Sequence, residues 1–154
     1  MANNHSYTIT LDNNKSEKEA INYLIESNIE FLNPDKQSRK FIMEKLNIPS
    51  KFSRAFDLIM IKGRDNKSQT IELYDSEDII LIELKTTKKK LLNLPKGFFF
   101  GATESEFQLA RLLNDKFKFC FVSIHVESTS YSLLTLDELE KIIKTKRIQY
   151  QINL

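Results

Sequence analysis

Glu83 and Lys85 close a run of apolar β-formers, Ile79-Ile80-Leu81-Ile82-Glu83-Leu84-Lys85-Thr86-Thr87. Side chains alternate along a strand, so Leu81, Glu83 and Lys85 share one face while Ile80, Ile82 and Leu84 share the other. A strand apolar on both faces reads as the buried centre of a sheet. A carboxylate and an ammonium placed there are costly unless they are paired, hydrogen-bonded or holding a metal. Upstream, Phe56-Asp57-Leu58-Ile59-Met60-Ile61 has the same character, with a carboxylate at its start. Two buried strands that deliver Asp57, Glu83 and Lys85 to a common place fit divalent-metal phosphodiester chemistry.

The elements that must position these residues are legible from periodicity and caps. Ser6 to Leu11 alternates weakly and reads as a short edge strand or an arm. Ser16 and Glu19 have capping-box spacing. Ala20, Ile21, Leu24, Ile25 and Ile29 then follow at helical spacing, which predicts a first helix from Ser16 to about Leu32, ended before Pro34. A second helix is expected over Lys36 to Leu46. Strand Phe56 to Lys62 is closed by the turn Gly63-Arg64-Asp65-Asn66. Thr70 to Tyr74 is a short strand candidate, and Asp75 to Asp78 turns into the main strand. Thr103 and Glu106 predict a capped helix to about Asn114, followed by a strand over Phe117 to Val126. Thr135 and Glu138 cap a last helix, and Arg147 to Leu154 is expected to close the fold as an edge strand. The order predicts a single domain over residues 1–154 of α/β (α+β) class, with a mixed central sheet flanked by helices.

An acidic residue, any residue and a lysine recur twice, at Asp65-Asn66-Lys67 and Glu83-Leu84-Lys85. The first follows a glycine in a polar turn, where Asp and Asn serve the backbone. The second sets charge against a core. Asp57 at a strand start, then a turn, then Glu83-x-Lys85 on the next long strand resembles the PD-(D/E)xK nuclease superfamily. That group includes restriction endonucleases, Holliday-junction resolvases and repair exonucleases. The resemblance covers residue 16 to about 126, and Phe56 stands where the motif often has proline. It implies a restriction-endonuclease-like core and Mg2+-dependent hydrolysis of DNA, with Mn2+ as a substitute.

On that resemblance Asp57, Glu83 and the backbone carbonyl of Leu84 are the metal ligands. This agrees with the preference of Mg2+ for oxygen donors and retained waters. Lys85 would orient the attacking water, whose pKa the metal lowers, or stabilise the developing charge. A further acidic residue from the first helix is expected near the metal: Glu19 is the candidate, with Glu26 and Glu17 behind it. The competing reading of the same residues is a Glu83–Lys85 surface ion pair at the end of an ordinary strand.

Composition sets the outer bounds. The chain has 154 residues, 41% hydrophobic and 29% charged, with three glycines and three prolines. These values are those of a globular protein and exclude collagen-like or low-complexity architecture. The formal charge of +2 does not by itself announce a polyanion partner. The dense cluster Lys88-Lys89-Lys90, with Lys96 beyond it, lies just past the motif strand, and Lys51 and Arg54 precede the other strand. These six cations are the expected contacts to DNA phosphates, which position a duplex without reading its sequence. Gln108 and Arg111 on the crossing helix would orient Lys85 or a phosphate, or simply form a solvated face. One cysteine, Cys120, and two histidines, His5 and His125, argue against a disulfide framework and a zinc site. No secretory signal or membrane-length apolar run is evident, and a cytoplasmic protein is expected.

The leading expectation is a small type II restriction endonuclease acting on double-stranded DNA as a homodimer. A catalytically inactive nuclease-like module that binds nucleic acid or a partner protein is the alternative. An RNA-directed nuclease or toxin is a third reading.

Overall fold

The buried apolar run does form the middle of a sheet. The computed structural model describes the backbone of residues 2–65 and 70–154, and side chains from residue 15 onward outside that gap. Its strands are β1 (Phe31–Leu32), β2 (Leu58–Ile61), β3 (Ile79–Thr87), β4 (Phe117–Ser123) and β5 (Ser130–Leu134). They lie side by side in that order. The pairs β1–β2, β2–β3 and β4–β5 are antiparallel, and β3–β4 is parallel. Parallel neighbours need a long return path, which contains α3 (Glu104–Leu113). With α1 (Ala2–Ser27), α2 (Lys36–Lys45) and α4 (Leu136–Glu140), the described residues form a mixed α/β fold with a five-stranded mixed sheet and four α-helices.

The two faces of the sheet are covered by different helices. Ile59, Ile61, Ile79, Leu81, Phe117, Phe119 and Phe121 pack against α2, α3 and α4 through Ile42, Leu109, Ala110, Leu136 and Leu139. Leu58, Met60, Ile80, Ile82, Leu84, Cys120 and Val122 pack with Ala20 and Leu24 of α1. Burial of each such aliphatic or aromatic side chain is worth about 1.5–3 kcal/mol of transfer free energy. Covering both faces makes β3 apolar on both sides. α2 is capped by Asp35, whose Oδ1 accepts from the Ser38 amide at 2.8 Å. Both Thr–Glu capping boxes expected from sequence are formed, at α3 and at α4.

Several sequence expectations are corrected. Helix α1 starts upstream of Ser16, so Ser16 and Glu19 lie within it rather than in a capping box. The alternating stretch Ser6 to Leu11 is helical: strand propensity is a weak local preference against propagation of a helix already nucleated. The helix ends at Ser27, and Phe31–Leu32 pairs with β2 instead of continuing the helix. Thr70 to Tyr74 contains a 3₁₀ turn, Ile71–Leu73, in place of a strand. β4 stops at Ser123, and α4 is one short helix. The strand beside β4 is Ser130–Leu134; Arg147 to Leu154 carries no regular structure and is exposed. Of the polar-turn pattern Asp65-Asn66-Lys67, Asn66 and Lys67 lie outside the described residues. No helix among the described residues is long and apolar enough to cross a membrane.

Candidate active site

The site forms where β2 begins and the apolar part of β3 ends. The β2–β3 register pairs Leu58 with Ile82, so one step back along the chain brings Asp57 alongside Glu83. Asp57 is fixed there twice: its amide donates to the Ile82 carbonyl at 2.8 Å, and its Oδ2 accepts from the Leu84 amide at 2.8 Å. Leu84 itself is seated in the parallel ladder opposite Cys120. Arg39 of α2 holds the same corner from outside. Its guanidinium donates to the carbonyls of Ser53, Phe56 and Asp57 at 2.9, 2.6 and 3.1 Å and stacks over the Phe56 ring. The planar fork of arginine suits this multiple capture of carbonyl oxygens.

Glu83 and Lys85 share a face, as period two requires, and they touch. Lys85 Nζ donates to Glu83 Oε1 at 3.0 Å and to Glu106 Oε2 at 3.0 Å. All three side chains are at most 10% exposed. Glu106 comes from the first turn of α3, where it is also the reciprocal member of the capping box. Its Oε2 accepts from the Thr103 amide at 2.9 Å, and its own amide donates to Thr103 Oγ1 at 3.2 Å. One carboxylate thus fastens the start of the crossing helix to the charged end of the central strand.

The electrostatics follow from burial and from an excess of acid. Glu83 and Glu106 flank Lys85 and Asp57 acts on Glu83, with Glu17 on α1 also within electrostatic reach of Asp57 and Lys85. Burial, and then the charge of Asp57, push the Glu83 carboxyl up to about 10 against the opposing pull of Lys85. For Lys85 burial acts downward, but Glu83 and Glu106 outweigh it and hold the ammonium above its usual value. Burial, followed by repulsion from Asp57, raises Glu17. Burial lowers Arg39, opposed by Asp57 and Glu83. Among the described residues no donor reaches the buried Glu83 Oε2, and the Glu106 carboxyl lies within hydrogen-bond reach of Glu83 and also raises it. A buried carboxylate oxygen left unmatched is costly, and a proton or a cation would relieve it.

The Glu83 carboxyl, next to Asp57, could hold a hard cation in place of that proton. No group of three Asp, Glu, His or Cys side chains among the described residues forms a ready-made cage. Mg2+ is commonly held by one or two carboxylates with waters and substrate phosphates, so Glu83 and Asp57 suffice for that mode.

The other sequence candidates fall in different places. Glu19 and Glu26 are exposed; the helix carboxylate that interacts with Asp57 and Lys85 is Glu17. Lys88, Lys89, Lys90 and Lys96 are exposed in the loop after β3, and Lys90 is paired with Glu127. Lys51 lies over the Phe52 ring at 5.0 Å. Arg54 lines a groove with Asp57. Gln108 is exposed and Arg111 pairs with Glu104, so the α3 partner of Lys85 is Glu106 instead. Sequence reading missed Glu106 and Arg39 as members of the site. Glu106 was visible only as a cap, and Arg39 as one more charge on a helix.

No family model, curated protein or solved structure matches this chain.

Proposed function

We propose that the protein is a Mg2+-dependent endonuclease that hydrolyses DNA phosphodiester bonds, with Glu83, Asp57 and Lys85 as its working groups. The observation that carries this reading is the buried Glu83 carboxyl next to Asp57, one oxygen of which meets no donor among the described residues, two positions from an ammonium fixed between Glu83 and Glu106. Glu83 and Asp57, with the Leu84 carbonyl, are the oxygens that would hold the ion. When bound, Mg2+ supplies Lewis-acid polarisation of the phosphate and a lowered pKa for the attacking water.

The chain's own groups do the rest. Lys85 stays protonated, because Glu83 and Glu106 together outweigh the effect of burial, so its role is to stabilise negative charge on the phosphate rather than to accept a proton. Glu106 holds that ammonium in place and ties its position to α3. Asp57 is held by the backbone of β3 and Arg39 by the backbone beside it, which pre-organises the acidic corner before substrate arrives. Action as a small restriction enzyme on duplex DNA, through a homodimer, is part of the same proposal.

One observation favours a second reading. Lys85 already satisfies one oxygen each of Glu83 and Glu106, so the triad is complete as a structural clamp without substrate. A nuclease-like module that binds nucleic acid or a partner protein without cutting would keep such a clamp. Purified protein incubated with plasmid and phage DNA, in Mg2+ and in EDTA, separates the two. Discrete fragments in Mg2+ alone indicate sequence-specific cleavage and a smear indicates a nonspecific nuclease; intact DNA in both supports the binding module.

A further inference from the structure

A groove of about 990 Å³ runs between α1 and the segment joining α2 to β2. It reaches Asp57 at one wall, so it opens onto the candidate site. Four of its lining residues are cations: Lys15, Lys18, Arg39 and Arg54. Among the described lining residues the acids are Glu17 and Asp57, which interact with each other at the site end. Lys15 and Lys18 are three apart on α1 and therefore neighbours on one helix face. Arg39 is committed to backbone carbonyls. Lys15, Lys18 and Arg54 are exposed and enter no ion pair among the described residues.

The loop after β3 is arranged differently. Lys90 is paired with Glu127, and the loop backbone is tied to the β4–β5 region by Ser123 Oγ donating to the Lys89 carbonyl and the Leu91 amide donating to Ser128 Oγ. The cleft that Lys88 lines, with Ser16, Thr86 and Thr87, holds only about 270 Å³. Lys88, Lys89 and Lys96 are likewise outside any ion pair among the described residues, but of these only Lys88 lines that smaller cleft. Lys15, Lys18 and Arg54 line one roomy groove that ends at the acidic corner, the stronger site for a polyanion.

We infer that the DNA phosphate backbone runs along the α1-side groove, neutralised by Lys15, Lys18 and Arg54, and not along the Lys88–Lys90 loop. The inference rests on the nuclease reading for the identity of the polyanion. The cations flank Glu17 and Asp57, so phosphates are held next to the carboxylates without being driven against them. Contacts of this kind position the backbone and carry no base information.

The test is binding of a short labelled duplex in EDTA across a salt series, with cleavage of the same duplex measured separately in Mg2+. Lys15→Gln/Lys18→Gln/Arg54→Gln is compared with Lys88→Gln/Lys89→Gln/Lys90→Gln. The groove variant should lower the magnitude of the slope of log affinity against log salt by about 2.7, at about 0.9 for each lost contact. The loop variant should leave the slope unchanged. The charge-retaining variant Lys15→Arg/Lys18→Arg/Arg54→Lys should keep the wild-type slope, which separates charge from folding. An unchanged slope in the groove variant, or a drop confined to the loop variant, overturns the groove assignment while cleavage by the wild type keeps the nuclease reading. Groove-dependent binding without cleavage by the wild type does the reverse. A wild type that does not bind the duplex overturns the groove assignment together with its premise.

Discussion

Two helices of this protein begin with the same local device and put it to different uses. Thr103 and Glu106 cap α3, and Thr135 and Glu138 cap α4; in each the threonine hydroxyl accepts from the glutamate amide and the glutamate side chain returns to the threonine amide. Glu138 is exposed, and its hydrogen bonds to the Thr135 backbone and side chain lower its pKa. Glu106 is buried, and the carboxylate oxygen that caps the helix also accepts from Lys85. The local sequence specifies the cap in both. What differs is the address, because the parallel β3–β4 connection sets the start of α3 against the charged end of β3. A cap becomes part of a site through topology.

The comparison can be broken most forcefully at the residue the two carboxylates share. Lys85→Ala should slow Mg2+-dependent cleavage by roughly 100- to 1000-fold, the scale on which groups stabilising transition-state charge act. Single-turnover cleavage of plasmid DNA measures it, and an unaltered rate would leave the Glu106 cap with a structural role only.

The next effect is on stability. Glu106→Ala removes one partner of a buried ammonium, and such losses typically cost about 3–5 kcal/mol. Glu138→Ala disturbs an exposed cap alone and should produce a much smaller fall in the urea midpoint. Urea titrations of both variants under one condition check the difference; equal losses would show that Glu106 contributes no more than its cap.

A more specific effect concerns pH. In EDTA the folded Glu83 carboxyl titrates near about 10, against an ordinary value of 4.5 in the unfolded chain. Between those values the folded state binds the extra proton, so this group's contribution makes stability fall as pH rises through that range. Glu83→Gln, which cannot titrate, should flatten that part of the stability profile. Thermal melts from mildly acidic to alkaline pH measure it, and an identical profile in the variant would contradict the burial of an orphaned carboxyl.

The least perturbing probe lies on the opposite face of the sheet. Cys120 is fully buried and its thiol is pushed well above its usual range by that burial. It should stay unmodified by an alkylating reagent in native buffer and react on unfolding. Rapid native labelling, read by mass spectrometry, would contradict the burial of Cys120 beneath α1.

Much of the site was legible because the signals were local. Nine residues that are apolar on both faces until a Glu-x-Lys ending are enough to predict β3 and the shared face of Glu83 and Lys85. Thr103 and Glu106 likewise announce the start of α3. The parts that sequence reading missed depend on distance in the chain. Glu106 meets Lys85 across 21 positions and Arg39 meets the Asp57 carbonyl across 18, and no periodicity encodes either contact. Helical periodicity names the apolar face of α1 but not which of its glutamates lies nearest Asp57; Glu19 was the candidate, and the one within reach is Glu17, two positions away. The short strand β1 and the polar strand β5 lack a long apolar run, so pairing with neighbours rather than intrinsic pattern defines them. Arg147 to Leu154 shows the converse, a strand-like alternation with no strand formed.

The central claim is that the clamp end of β3 is a metal-assisted phosphodiester site, and it is tested most directly by cleavage of supercoiled plasmid with Mg2+ or Mn2+ and with EDTA. Wild type should be run beside Glu83→Ala and Asp57→Ala. Cleavage by the wild type only with the divalent ion, abolished in both variants while binding to the same DNA persists, is the expected result. Metal-dependent cleavage that survives intact in either variant, or DNA left uncut by the wild type, would contradict it.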